Sequence, residues 1–348
     1  MPRIRSPIVS CEIDMPVPLY FVTMVDAQRK RKLICDLKDG EQVDSLFSVK
    51  QKRPPRSYAR GYWFELRVGD RTGEMTLKFW GTDNEEEVRR LYDSFKVGQV
   101  ISVRGFASRY RDAMEITVNP DTGSIALVEE GDFDVRDFVQ EGRFTQKDLA
   151  AKLMRFVEAV QDQRLRALLE HFFHDKKLMD RFTKAPGSMW LHCNWLGGLA
   201  EHTLNVASIC KYLAGKYKGK LNRDLLLTGA LLHDIGKVEE YKVTTNIDVT
   251  KEGMLRGHIV IGAEMVSKAA DELMLPEDLK LKVVHMVLAS HGMPEYGSPK
   301  KPQFPEALAL NFADDLDAKL EQMIKLRDEA NTEDPWIYDK RFGPVFLH

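Results

Sequence analysis

Histidine and carboxylate side chains recur through the C-terminal half of the sequence: His202, the adjacent His233 and Asp234, His258, His291 and Asp314. Successive steps of 31, 25, 33 and 23 residues each match one helix plus its connection, so helical packing can bring the groups to one place. Imidazole and carboxylate together form the mixed N/O ligand set of Mn, Fe, Zn or Co. His233 and Asp234 close the apolar run of "LLTGALLHDIGKVEEY", residues 226–241. A carboxylate at the end of a buried helix is costly unless it is paired or coordinates a cation. At a helix end, where the backbone turns, two adjacent side chains can reach one ion or a pair of ions. Gly236 then lets the chain leave closely, and Lys237 offers a compact positive charge suited to phosphate.

Each residue also has an ordinary reading. A single helical histidine such as His285 is more often a surface or satisfied core residue than a ligand. His171 and His174 flank two phenylalanines like helix-surface residues, and the terminal His348 is uninformative. The acids of "FADDLDAKL" can form a solvated face, and Asp314 and Asp317, three apart, share a side, so spacing does not choose between them.

The elements that must position these groups read as helices from about residue 145 to 330: 161–173, 197–214, 221–232, 257–273, 277–290 and 305–329. The first helix is announced earlier by Thr145 as N-cap with Asp148 three residues on. Pro276 and Pro305 stand where helix starts tolerate them.

The texture before residue 130 is that of strands. In "GYWFELRVGDRTGEMTLKFW", Tyr62, Phe64, Leu66 and Val68 share a face with Met75, Leu77 and Phe79 beyond a glycine-bounded turn. "QVISVRGFASRY" and "DAMEITVNP" form a second pair, with a short helix over "NEEEVRRLYDSF" between the two hairpins. Around five strands in about a hundred residues indicate a small closed barrel of the OB-fold type. Trp63, Arg67, Lys78 and Trp80 fall on its outer face, a mixture able to stack bases and neutralise phosphates. The plain alternative has Trp63 and Trp80 covering one end of the barrel or packing on the second domain. Residues 49–61, with Lys50, Lys52, Arg53, Arg56 and Arg60 and no acid, read as a basic loop.

The expected organisation is a multidomain α+β chain: an OB-fold domain over 20–130, an acidic linker over 131–144, a helical domain over 145–330 and a tail over 331–348. A formal net charge of -2, 43% hydrophobic residues and no long apolar run exclude a membrane span and point to the cytoplasm. Four cysteines (Cys11, Cys35, Cys193 and Cys210) without CxxC spacing indicate neither a disulfide framework nor a structural zinc site.

The segments "GGLAEHTLNV" (197–206), "LLHDIGKVEEY" (231–241), "GH" (257–258), "LASHGMPEYGSPK" (288–300) and "LNFADDLDAKL" (310–320), in that order, resemble the HD-domain metal-dependent phosphohydrolases. With a barrel ahead of them, they resemble more specifically the YhaM-type 3'→5' exoribonucleases. The resemblance implies His202 as first ligand, His233 and Asp234 as the namesake pair with Asp234 touching both metals, His258 and His291 at a second position, and Asp314 at the first. It places Asp317 in support of the last helix and Lys237 toward substrate phosphate; Arg256, beside His258, is read from its position either as a further phosphate contact or as a solvated arginine. One or two divalent ions are implied, Mn2+ foremost, with Fe2+, Co2+, Ni2+, Zn2+ and Mg2+ as others. The implied substrate is single-stranded RNA, or DNA, cut to nucleoside 5'-monophosphates. Two departures stand out: Ser290-His291 where relatives commonly carry two histidines, and His192-Cys193 where they often show another pair. Rival readings are an HD phosphohydrolase of free or cyclic nucleotides, and a non-catalytic RNA-binding protein.

Overall fold

Period-two alternation of apolar residues over 42–128 produces strands whose inward side chains seal one core. The computed structural model describes residues 32–111, 113–188, 195–330 and 332–347. Its first unit comprises β1 (Gln42–Tyr58), β2 (Gly61–Asp70), β3 (Gly73–Trp80), α1 (Glu85–Asp93), β4 (Val100–Tyr110), β5 (Ala113–Val118) and β6 (Ser124–Val128). The strands run β1-β2-β3-β5-β4, and β1 pairs back onto β4, which closes a five-stranded OB-like barrel with β6 added along β4. Among the described barrel strands, only the β3–β5 pairing is parallel. Phe47, Leu66, Leu77, Ile101 and Ile116 fill the interior, and α1, capped by Asn84, connects β3 to β4 and packs on β1 and β2.

The basic run is not a loop. It is the second half of β1, paired with β2 as far as Tyr58 and Gly61. Lys50 donates to Thr245 O (3.1 Å) and to Asn246 Oδ1. Lys52 donates to the Tyr92 and Phe95 carbonyls at the end of α1. Arg53 pairs with Glu65 at 2.9 Å. Arg56 and Arg60 remain exposed.

The helical unit begins with α2 (Gln146–Ala159), whose first turn is capped by Thr145 Oγ1 accepting from Asp148 N. There follow α3 (Gln163–Phe173), α4 (Lys176–Lys184), α5 (Gly198–Lys216), α6 (Arg223–Leu232), α7 (Lys237–Glu240) and a small hairpin, β7 (Tyr241–Val243) with β8 (Ile247–Val249). Then come α8 (Lys251–Glu272), α9 (Glu277–Leu288) and α10 (Pro305–Glu329). The last residues pair as β9 (Trp336–Asp339) and β10 (Gly343–Phe346), a hairpin not foreseen in the tail.

Every residue of α6 from Leu225 to Leu232 is buried, as expected for a helix apolar on all sides. Leu226, Leu231, Met286 and Leu310 belong to one core built around it. The end of α6 is therefore the middle of the bundle, and His233 follows there. No helix among the described residues is long and apolar enough to cross a membrane. Cys210 lies in this core, where burial pushes its thiol up to about 12, and Cys35 is exposed on the barrel; both are free. Cys11, His192, Cys193 and His348 lie outside the described residues.

Candidate metal centre and nucleic-acid interface

Five separated segments deliver the six groups. His202 sits on the second turn of α5, His233 caps the C-terminus of α6, and Asp234 follows in the turn into α7. His258 comes directly after a break in α8 where Gly257 adopts φ +70°, a left-handed conformation natural to glycine. His291 lies past the end of α9, and Asp314 projects from α10.

The Nε2 atoms of His202 and His233 lie 3.3 Å apart, and that of His202 is 3.0 Å from Asp314 Oδ1 and 3.6 Å from Asp234 Oδ2. On the other side, His258 Nε2 stands 3.6 Å from Asp234 Oδ1, and His291 Nε2 stands 3.8 Å from Asp314 Oδ2. Asp234 and Asp314 thus each turn one oxygen to the His202/His233 pair and the other to the His258/His291 pair.

All four rings are held from behind. Nδ1 donates to Asp317 Oδ2 (2.7 Å) in His202, to Ala230 O (2.8 Å) in His233, to Glu240 Oε2 (2.8 Å) in His258 and to Tyr296 O (3.1 Å) in His291. Carbonyl and carboxylate oxygens can only accept here, so the hydrogen resides on Nδ1, and each ring in its neutral form would offer an Nε2 lone pair to the centre.

This arrangement fits a cation. Asp234 Oδ1 and His258 Nε2 are buried, face each other, and have no hydrogen-bond partner. Unsatisfied polar atoms of this kind are rare in folded interiors, and an ion between them would satisfy both. Two triads, His202/His233/Asp234 and Asp234/His258/His291, have donor atoms close enough to share one. Without a cation, burial works to lower the His202 pKa, but Asp314 and Asp317 outweigh it and hold the ring protonated up to about 10. A proton then neutralises what a metal would neutralise. Burial works to raise Asp234 and Asp314, yet Lys237 and His233 around the first, and His202 and His233 around the second, keep both well below the carboxylate range. For His291, burial dominates and lowers its pKa, which favours the neutral ring.

Two residues take orienting roles that the sequence reading did not assign them. Asp317 is buried against His202 rather than serving the last helix. Glu240 accepts from both the backbone N (3.1 Å) and the ring of His258. Neither has a signal of its own in one sequence, since each is an acid among acids.

Two expected phosphate contacts are placed differently. Lys237 is buried, donating to Asp234 Oδ2 (2.6 Å) and Gly187 O (2.7 Å), so its ammonium first fixes Asp234. Arg256 is drawn onto α8 by Glu252 and Glu264 instead of reaching the imidazoles, and a phosphate would have to displace those acids. Ser290, where a histidine is common in the resembled family, turns its hydroxyl to Val287 O (3.0 Å). It follows Ala289, the C-cap of α9, and His291 alone points inward, its amide held by Ser298 Oγ.

On the barrel, Trp63 and Trp80 are cross-strand neighbours and stack at 5.1 Å, with Tyr58 edge-on to Trp80 at 5.1 Å. Exposed Arg56 lies opposite Trp63 on β1. Arg67 is exposed and paired with Glu74 at 3.2 Å. Lys78 is half-buried, joined to Glu115 at 2.6 Å and lying over the Tyr110 ring at 4.7 Å, so much of its charge is neutralised. Phe106 and Tyr110, 41% and 54% exposed, add aromatic surface on β4 that the alternation argument did not single out.

Residues 199–319 match the HD domain family, and residues 48–121 match the OB-fold nucleic acid binding domain family. The chain is 32% identical over 314 residues to the 3'-5' exoribonuclease YhaM of Geobacillus sp. (strain WCH70), covering 88% of this chain and 93% of that protein. Among solved structures, the second OB-fold domain of replication protein A from Methanococcus maripaludis matches with 20% identity, 30% of this chain, 98% of that one and a TM-score of 0.24. An OB domain from Methanosarcina mazei matches with 16% identity, 30% and 85% coverage and a TM-score of 0.22. With an HD domain, an OB-fold domain and a full-length relative in hand, the chain belongs to the YhaM family and is a metal-dependent hydrolytic nuclease.

Proposed function

We propose that the protein is a 3'→5' exoribonuclease that hydrolyses single-stranded RNA to nucleoside 5'-monophosphates, with Mn2+ as its working ion. One observation carries the reading: Asp234 bridges two imidazole pairs, with a buried oxygen that no protein group satisfies. A divalent cation held there by His202, His233, His258, His291, Asp234 and Asp314 would polarise phosphate and lower the pKa of water. Lys237 keeps Asp234 in place, and Asp317 and Glu240 keep two rings aimed. Carboxylate oxygens beside imidazole nitrogens, with no thiolate among these six groups, suit Mn, Fe, Zn or Co alike, and the choice of Mn2+ follows the family resemblance. The barrel holds the strand through Trp63, Trp80 and neighbouring arginines, by stacking and phosphate contact.

The test is a time course on end-labelled single-stranded RNA and DNA, with and without chelator. Stepwise shortening of RNA from the 3' end, abolished by chelator and restored by Mn2+, is expected. Internal cuts, 5' shortening or chelator-resistant hydrolysis would overturn it. RNA and cyclic dinucleotide turnover measured side by side separates it from a nucleotide phosphohydrolase.

A further inference from the structure

Between the ligands Asp234 and His258 the chain makes an excursion, the β7–β8 hairpin, which does not contribute to the metal centre. Its turn, Thr244–Asn246, touches the barrel instead. Thr245 Oγ1 donates to Gly98 O at 2.5 Å, and Lys50 Nζ donates to Thr245 O at 3.1 Å and to Asn246 Oδ1. Gly98 stands in the turn before β4, tied to β1 by Gly98 N donating to Val49 O at 2.8 Å. Thr245 is buried, and burial lowers the Lys50 pKa despite Glu74 and Asp248 nearby, so this contact is desolvated. A solvated lysine would have no reason to lie there.

The base of the hairpin is bonded to the metal centre. Thr250 N donates to Glu240 O at 2.8 Å and Thr250 Oγ1 to Glu239 O at 2.8 Å. Glu240 in turn holds the backbone and the ring of His258. Gly253 packs so closely on Glu240 that an added Cβ would meet Glu240 O at 2.7 Å. A continuous set of bonded residues therefore runs from the barrel to a ligand.

We propose that the hairpin is a positioning strut, in which Lys50 and Gly98 grip the Thr245–Asn246 turn and so fix where a strand held by the barrel meets the metal centre. The proposal rests on the reading that the barrel binds the substrate strand. Lys50 and Asn246 touch neither the six candidate ligands nor the aromatic face; their role is alignment.

The experiment uses the full chain with Mn2+ and the variants Lys50→Met, Asn246→Ala and the double change. Three quantities are read: kcat on a long single-stranded RNA, hydrolysis of bis(p-nitrophenyl) phosphate, and RNA affinity in chelator. The expected result is a fall of about tenfold in kcat on RNA, with the other two within about twofold of the parent. The double variant should be no worse than Lys50→Met alone, because that change already removes the bond to Asn246. Unchanged RNA turnover, or equal losses on both substrates, would overturn the strut. Amide hydrogen exchange without RNA supplies an independent arm: faster exchange over residues 243–250 in Lys50→Met is expected, and unchanged protection refutes the grip. A parent protein that binds RNA but never shortens it strikes the nuclease reading, while the exchange arm still decides the contact.

Discussion

Asp317 accepts the Nδ1 hydrogen of His202 at 2.7 Å, while Asp314, one turn earlier on α10, faces Nε2 of the same ring at 3.0 Å. Two acids that spacing alone could not separate thus do different work, one orienting the ring and the other joining it at the centre. Asp317→Ala should weaken Mn2+ affinity by about 10–100-fold, the usual cost of losing an orienting partner. Isothermal titration of the metal-free protein reads this directly, and an unchanged affinity would return Asp317 to a packing role.

Glu240 makes two bonds to one residue, which a glutamine cannot reproduce with its single acceptor oxygen. Glu240→Gln should therefore lower metal affinity, with Glu240→Asp recovering part of the loss. Equal affinity in all three proteins, by the same titration, would contradict the assignment.

Chelator should also destabilise the fold. Asp234 and Asp314 are buried acids beside unsatisfied polar atoms, so ion loss leaves charge that protons only partly neutralise. A metal at about a hundred times its Kd contributes about 2.7 kcal/mol. At about 2–4 °C per kcal/mol for a domain of this size, melting should fall by about 5–10 °C in chelator and recover with Mn2+. Identical curves would mean that the cluster does not depend on a cation.

Gly236 is where α7 begins against α8, and an added Cβ would lie 2.0 Å from His258 O and 2.6 Å from Gly262 N. Backbone atoms cannot move aside cheaply, so Gly236→Ala should cost about 1–3 kcal/mol and impair metal binding by shifting His258. Gly215→Ala on α5 meets nothing within 4 Å and should be neutral or stabilising by up to about 1 kcal/mol. Chemical denaturation of the two variants makes the comparison.

For the barrel, Trp80→Ala and Trp63→Ala should each weaken RNA binding by about 1–3 kcal/mol, the scale of one stacked base. Arg56→Ala should reduce the salt dependence of binding, whereas Lys78→Met should change it little, because Glu115 already neutralises that lysine. Fluorescence anisotropy over a salt series decides. An unchanged Kd in both tryptophan variants would leave Trp63 and Trp80 as packing residues.

The clustering of these six side chains was legible because coordination needs particular residue types, and their helix-length spacing survives in a linear sequence. The barrel was legible because alternation reports which face is inside. The run Lys50–Arg60 misled, since like charges with no acid between them suggest solvent, yet Lys50, Lys52 and Arg53 find acceptors on other elements. Asp317, Glu240 and the buried placement of Lys237 were out of reach for the same reason. Each depends on which distant group lies opposite, and that is a property of packing.

His202 and Asp317 meet across 115 residues of chain, and α10 brings both Asp314 and Asp317. A polypeptide still emerging from the ribosome without that helix lacks two carboxylates of the centre. A nuclease whose centre draws on α10 in this way can assemble that centre only once α10 has folded against α5.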